Sequence, residues 1–225
     1  MQAAVLLAEH FPAGVRVEML NRAGQVHARV DEAQKALQTF ATAAALESGS
    51  GFSEGWYRTI EFYYRQGEWG KVVDLVSPAQ DVPEGPASGN WRQAMYTLAL
   101  SLDHLGQNRE ANRMYQRLSE AYPLARDWPV YQAFLRLSKR DLLDGRLLSA
   151  AQWFALAYDM ALEVWPLAQA ENEVSAWQQI ESWAQAAAAS PDAPNLLDQV
   201  RTLCQAQPES AGCFFTLGRF YAALS

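Results

Sequence analysis

The chain holds two cysteines, Cys204 and Cys213, and three histidines, His10, His27 and His104, in 225 residues. These are the side chains whose chemistry would matter most, so their spacing is the first test. The cysteines lie nine positions apart across a Pro-Glu-Ser-Ala-Gly turn. That spacing is not a Cys-x-x-Cys redox motif, and no histidine lies close enough in sequence to complete a metal-ligand set. The sequence implies no metal and no cofactor. Two readings of the cysteines stay open: a structural disulfide, or a pair of buried thiols in a reducing compartment. The histidines are isolated from one another, and only His104 is placed to face a groove. A lone histidine is more often a capping or surface residue than a catalyst. Carboxylate pairs such as Asp31/Glu32 and Glu171/Glu173 have the spacing of solvated helix faces. Phosphate-binding glycine loops, nucleophile elbows and zinc-protease motifs do not occur in the sequence. The expectation is a protein that is not an enzyme.

Composition narrows the class further. Half of the residues are apolar and the net charge is −7. A sizeable core is therefore affordable, and the acidic balance argues against nucleic acid and against an anionic membrane surface. The sequence has no run of 18 apolar residues, so no membrane insertion is expected. The N-terminal stretch Met-Gln-Ala-Ala lacks the cationic start of an intact signal peptide, but fits the mature remainder of one. Lysine is scarce beside arginine and isoleucine occurs twice, which suggests a GC-rich bacterial coding bias.

Strand signals are nearly absent, while apolar spacings of three and four recur. They predict helices near 2–10, 16–48, 53–66, 69–77, 91–105, 108–121, 128–143, 147–164, 168–189, 195–206 and 211–224. A Pro/Gly/Ser-rich loop is expected at 77–90. The predicted helix 16–48 carries Met19, Ala23, Val26, Val30, Ala33, Leu37, Phe40 and Ala44 at heptad spacing. At about 48 Å it would overhang a neighbouring helix pair, and this offers a route to a homodimer. Residues 1–50 are read as N-terminal helices including this long one, and 51–225 as a helical repeat domain.

The repeat is visible in three glycines, Gly67, Gly106 and Gly145, spaced by 39 and 39. Eleven residues before them stand Trp56, Met95 and Phe134. Five after stand Val72, Ala111 and Ala150, and nine after stand Val76, Tyr115 and Phe154. A bulky residue, a turn glycine, then a small residue and a bulky one describe an antiparallel helix pair.

The segment 96–123 resembles a tetratricopeptide repeat (TPR), with Ala99, Gly106, Ala111, Tyr115 and Pro123 at the family's positions. The units at 53–79 and 131–162 match more loosely: Ile60 replaces a small residue and Asp141 a large one. The C-terminal segment from Cys204, with Gly212-Cys213 and Leu217-Gly218-Arg219-Phe220-Tyr221, resembles a Sel1-like unit. There, paired cysteines staple adjacent helices, and a short turn brings two such residues within disulfide reach.

The resemblance implies an all-α, right-handed α-solenoid of antiparallel helix pairs, lined on its concave face by the first helix of each pair. It places Glu54, Tyr57, Glu61, Tyr64 and Arg65 on that face in the first unit. In the second it places Gln93, Tyr96, Leu100, Asp103 and His104, and in the third Gln132, Leu135, Lys139, Leu142 and Leu143. Among these, Tyr57, Glu61, Tyr64, Arg65, Gln93, Tyr96, Asp103, His104 and Lys139 are the expected contacts to a peptide or helix of a partner protein. The groove lacks a cluster of lysines and arginines, so an acidic C-terminal tail is not the expected ligand. The expectation is an adaptor in a bacterial envelope assembly such as a secretion, pilus or polysaccharide system, located in the periplasm. A cytoplasmic secretion chaperone is the alternative if the cysteines are reduced. The eight tryptophans open another alternative, a carbohydrate-binding accessory, if Trp128, Trp153, Trp165, Trp177 or Trp183 is exposed.

Overall fold

The computed structural model describes residues 11–47, 52–82, 85–121, 124–164 and 170–225, with 86, 163–164 and 170–177 as backbone only. Among the described residues there is no strand, and the α-helices are eleven: α1 Ala13–Arg29, α2 Ala33–Leu46, α3 Glu54–Arg65, α4 Trp69–Val76, α5 Gly89–His104, α6 Asn108–Ser119, α7 Trp128–Leu143, α8 Leu147–Val164, α9 Ala170–Ala188, α10 Ala193–Ala206 and α11 Ala211–Leu224. The helix expected at 2–10, with His10, lies outside the described residues, as do Pro123 and the side chains of Trp165, Glu171, Glu173 and Trp177. No helix among the described residues is long and apolar enough to cross a membrane. The chain divides into two compact units, Met1–Met114 and Tyr115–Ser225.

The helix starts follow from local chemistry. The side chains of Ser53, Ser88, Asp127 and Ser210 accept hydrogen bonds from the backbone N–H groups of Trp56, Trp91, Val130 and Cys213, satisfying donors that a helix N-terminus leaves open. The loop 77–90 carries two short 3-10 turns, Ser77–Ala79 and Gly85–Ala87. It covers Trp91, whose indole N–H donates to the Ala79 carbonyl at 2.9 Å.

The single helix expected at 16–48 is two helices. The chain turns at Val30, Asp31 and Glu32, and α1 and α2 pack as an antiparallel hairpin. The heptad stripe is split by this turn. Phe40 is buried between the two helices, while Val26 and Val30 remain exposed. The overhanging helix on which a homodimer depended is absent.

The turn also reveals a further repeat. Asp31 has φ +59°, beside +72°, +74° and +73° for Gly67, Gly106 and Gly145. At all four turns the residue after the left-handed one donates its N–H five residues back. Glu32 bonds the His27 carbonyl at 3.0 Å, Glu68 bonds Tyr63 at 3.0 Å, Gln107 bonds Leu102 at 2.8 Å and Arg146 bonds Asp141 at 2.8 Å. This is a Schellman helix end repeated four times. Aspartate is among the few non-glycine residues that adopt the left-handed conformation readily, which is why the turn survives without glycine. Counted from Asp31, the register positions are Leu20, Ala36, Phe40 and Ala43, all buried. The family's small position in the first helix falls on Gly24, where a Cβ would run into the Phe40 ring.

In the first unit α1 packs on α2 and α3, and α3 packs on α4 and α5. In the second, α8 packs on α7, α9, α10 and α11, and α11 on α9 and α10. The second unit's main cluster is built from Ala150, Ala151, Phe154, Ile180, Trp183, Leu196, Val200, Phe220 and their neighbours.

Candidate functional site: the face of α1, α3 and α5

The Schellman register fixes which residues each first helix presents. Transferred to α1, the groove positions are Glu18, Asn21, Gln25, Ala28 and Arg29. All five line open clefts between α1 and α3. One cleft, of about 310 Å³, is lined by Gln25, Ala28, Arg29, Phe40, Arg58, Glu61, Phe62, Arg65 and Gln66. The other, of about 380 Å³, is lined by Gly14, Val17, Glu18, Asn21, Arg22, Gln25, Glu54 and Arg58. They share Gln25 and Arg58 and so adjoin one another.

The floor of this face is electrostatically organised along α3. Arg58 bridges Glu54 and Glu61, both at 2.7 Å, and Arg65 reaches Glu61 at 2.5 Å. Burial works against the Arg58 charge, but the hydrogen bond to Glu61 and the charge of Glu54 outweigh it and hold the guanidinium above its ordinary range. The Arg58 guanidinium also lies 5.6 Å from the centre of the Tyr57 ring. Burial, then the Glu61 charge, raises the Tyr57 phenol, which stays a neutral donor.

On the other flank of α3, Tyr64 meets α5. Its hydroxyl lies 3.4 Å from His104 Nε2, and the His104 ring stacks on Trp69 at 4.3 Å between centroids. Gln93, Tyr96 and Asp103 are half-buried on α5. The structure thus brings Glu61 and Arg65 together directly, and Tyr64 with His104. Lys139 is exposed on α7, in the second unit. Of the other positions expected in the third repeat, Leu135 is buried beside Tyr131, Phe134 and Met160, Leu142 packs against the α8–α11 cluster, and Leu143 is 78% exposed.

Sequence reasoning missed Asn21, Gln25, Arg29 and Arg58. The first three were hidden because the turn carries aspartate, and a search for glycine skips it. The signal was present: Leu20, Ala36 and Phe40 stand at the repeat's distances from Asp31, itself 36 residues before Gly67. Their recovery also alters the charge of the groove, since Arg29, Arg58 and Arg65 line one cleft where a lack of basic residues was expected.

The other chemistry-bearing groups are engaged in the fold. His27 is 8% exposed and its Nδ1 lies 2.5 Å from Glu32 across the α1–α2 turn. Asp141, out of place for the repeat pattern, accepts bonds from Arg146 at 2.6 and 2.9 Å, from Trp153 at 3.1 Å and from Ser149. Trp91 and Trp183 are fully buried, and the Trp183 indole N–H donates to the Leu147 carbonyl at 2.8 Å. None of Trp91, Trp153 or Trp183 presents a free face with an open N–H for a sugar. Among the described residues no group of three or more His, Cys, Asp or Glu side chains stands where it could hold a metal ion. Cys204 and Cys213 meet at disulfide distance, with 5.3 Å between α-carbons, late in α10 and early in α11.

No protein-family model matches the chain. No curated protein matches it in sequence. Solved structures do match its fold. A kinesin light chain-like protein from Podosopora anserina with nearly identical TPR-like repeats superposes with a TM-score of 0.50 at 16% identity, over 90% of this chain and 100% of that one. A single-substitution variant of the same protein gives a TM-score of 0.51 at 15% identity, over 89% and 100%. The fold class is therefore all-α, of the TPR-like α-solenoid type built from antiparallel helix pairs.

Proposed function

We propose that the chain is a non-catalytic interaction module that captures a peptide or helix of a partner protein along α1, α3 and α5. One observation carries this reading. The repeated turn register sets Asn21, Gln25 and Arg29, then Tyr57, Glu61, Tyr64 and Arg65, then Gln93, Tyr96, Asp103 and His104 on successive first helices of one unit. α3 packs against both α1 and α5, so the three rows are neighbours. Tyrosines flanked by both charge signs offer large contact area at small entropic cost. Lys139, exposed on α7 of the second unit, is proposed as a separate partner contact.

The setting we propose is a bacterial envelope assembly in the periplasm, of the secretion, pilus or polysaccharide-export kind. The Cys204–Cys213 approach supports an oxidising compartment, and α10 with α11 then serves as the Sel1-like stapled pair. Two measurements test these statements separately. A photo-crosslinking amino acid placed at Tyr57 or Tyr96 in cells is expected to trap one predominant protein, and placed at exposed Asp74 to trap none. Equal labelling from all three positions defeats the groove. Alkylation of protein taken from its native compartment is expected to find no free thiol, and two modified cysteines move the protein to the cytoplasm.

A further inference from the structure

The cleft of about 310 Å³ between α1 and α3 carries an imbalance of charge. Arg29, Arg58 and Arg65 line it against a single carboxylate, Glu61. Glu54 reaches Arg58 from the adjoining cleft, and the guanidiniums still outnumber the carboxylates three to two. Arg58 and Arg65 share Glu61. Arg29 is exposed and has no ion pair among the described residues. This cationic surplus stands in a chain whose net charge is −7. Gln25 and Gln66 add two carboxamides, donors without charge, to the same wall. Phe40 and Phe62 complete the lining but are almost sealed, so the accessible wall is mainly arginine, glutamine and Ala28.

We propose that this cleft binds a phosphate monoester carried on a small organic body. The surplus is two positive charges counted on the lining alone and one with Glu54 included. A phosphate monoester carries about −1.5 to −2 at neutral pH on three acceptor oxygens, which matches that surplus. A carboxylate brings one charge and two oxygens, and leaves donors of the wall idle. The guanidinium fork pairs two oxygens of a phosphate at once. Arg58 is already held in place by Glu54 and Glu61, so little ordering is needed on binding. Arg29 is the free arm that closes on the ligand. The volume stands at the lower end of small-molecule sites, which run from about 300 to 1,000 Å³. It exceeds what phosphate alone fills and admits one ring-sized body beside it. The bound molecule sits against Glu61 and Arg65, but the inference does not rest on groove capture and goes beyond it to a ligand of another class.

The test is calorimetric titration of the full chain with phenyl phosphate, inorganic phosphate and benzoate at low salt. Phenyl phosphate is expected to saturate one site with a Kd of about 1 mM or tighter, the strength of a few charge-assisted bonds. Benzoate and inorganic phosphate are each expected to bind about tenfold more weakly, the first lacking charge and oxygens, the second lacking the ring. Arg29→Gln and Arg65→Gln are each expected to weaken phenyl phosphate about tenfold. Arg29 makes no ion pair, so Arg29→Gln is expected to melt with the unmodified protein, and its weaker binding then reads a lost contact. Arg22, paired to Glu18 and lining only the adjoining cleft, is the control, and Arg22→Gln is expected to change nothing. No saturation with phenyl phosphate overturns the site. Benzoate or inorganic phosphate binding as tightly as phenyl phosphate overturns the ligand class. Equal weakening by Arg22→Gln and Arg29→Gln overturns the cleft in favour of diffuse surface charge. Groove capture is read separately, by crosslinking from Tyr57 and Tyr96, so either reading fails without the other.

Discussion

Particular buried polar groups of the two units are handled differently. In the second unit, Asp141 accepts bonds from Arg146, Ser149 and Trp153. Asp159 accepts from Ser210 Oγ at 2.6 Å and from the Gly212 N–H at 2.7 Å, tying α8 to the start of α11. A carboxylate at a helix N-terminus is also favoured by the dipole there. In the first unit, Asn21 is buried with its amide unpaired, beside arginines that share too few carboxylates. A fully satisfied polar group rigidifies its surroundings, whereas an unpaired buried one costs stability. Asp141 and Asp159 tie helices of the second unit together, and Asn21 leaves one polar group of the first unit without a partner.

The comparison is broken most forcefully at the cysteines. Replacing Cys204 and Cys213 together with alanine removes a cross-link over a nine-residue separation, with an expected loss of about 2–5 kcal/mol in urea unfolding. Unchanged stability there would mean the α10–α11 pair does not depend on its staple. Next comes Gly212→Val. A Cβ at Gly212 would meet the Ala155 backbone carbonyl, which cannot swing aside as a side chain can. The expected cost is about 1–3 kcal/mol, read as a lower melting temperature.

Asn21→Leu sharpens the contrast from the other side. Replacing an unpaired buried amide with an apolar side chain of similar volume is expected to stabilise the protein by about 1–2 kcal/mol, measured by the same unfolding experiment. A loss of stability of that size would show that Asn21 is a structural residue.

The smallest effect concerns pH. Hydrogen bonding to Lys35, then to His27, holds the Glu32 carboxyl below its ordinary value of 4.5. A lowered folded value means that the contribution is present above the unfolded pKa and lost as pH falls through the folded one. Protection against amide exchange at the α1–α2 turn, taken relative to the intrinsic rate at each pH, is therefore expected to fall below about pH 4.5, and in Glu32→Gln to lose that acid dependence. Equal acid sensitivity in both proteins would remove Glu32 from the account of the turn.

Much of this architecture is written in local residue chemistry. Helix existence from α3 to α11, and most boundaries to within two residues, follow from apolar spacing and from caps such as Ser53, Asp127 and Ser210. The turns at Gly67, Gly106 and Gly145 are legible because glycine adopts their left-handed backbone at least cost, whereas Asp31 makes the same turn without that signal. The helix pairing and the approach of Cys204 to Cys213 follow from the same local rules. What the sequence alone left open was decided by packing. A heptad stripe continues through Val30 and Ala33 whether the chain runs straight or folds back. Burial of Phe40 against Gly24 stabilises the folded arrangement. That one turn carries Asn21, Gln25 and Arg29 to the flank of α3, where Arg58 is already held by two glutamates. Spacing along the chain determines which face of a helix a residue occupies. Only the contact between helices determines which residue it faces, and the unpaired state of Asn21 is a property of that contact.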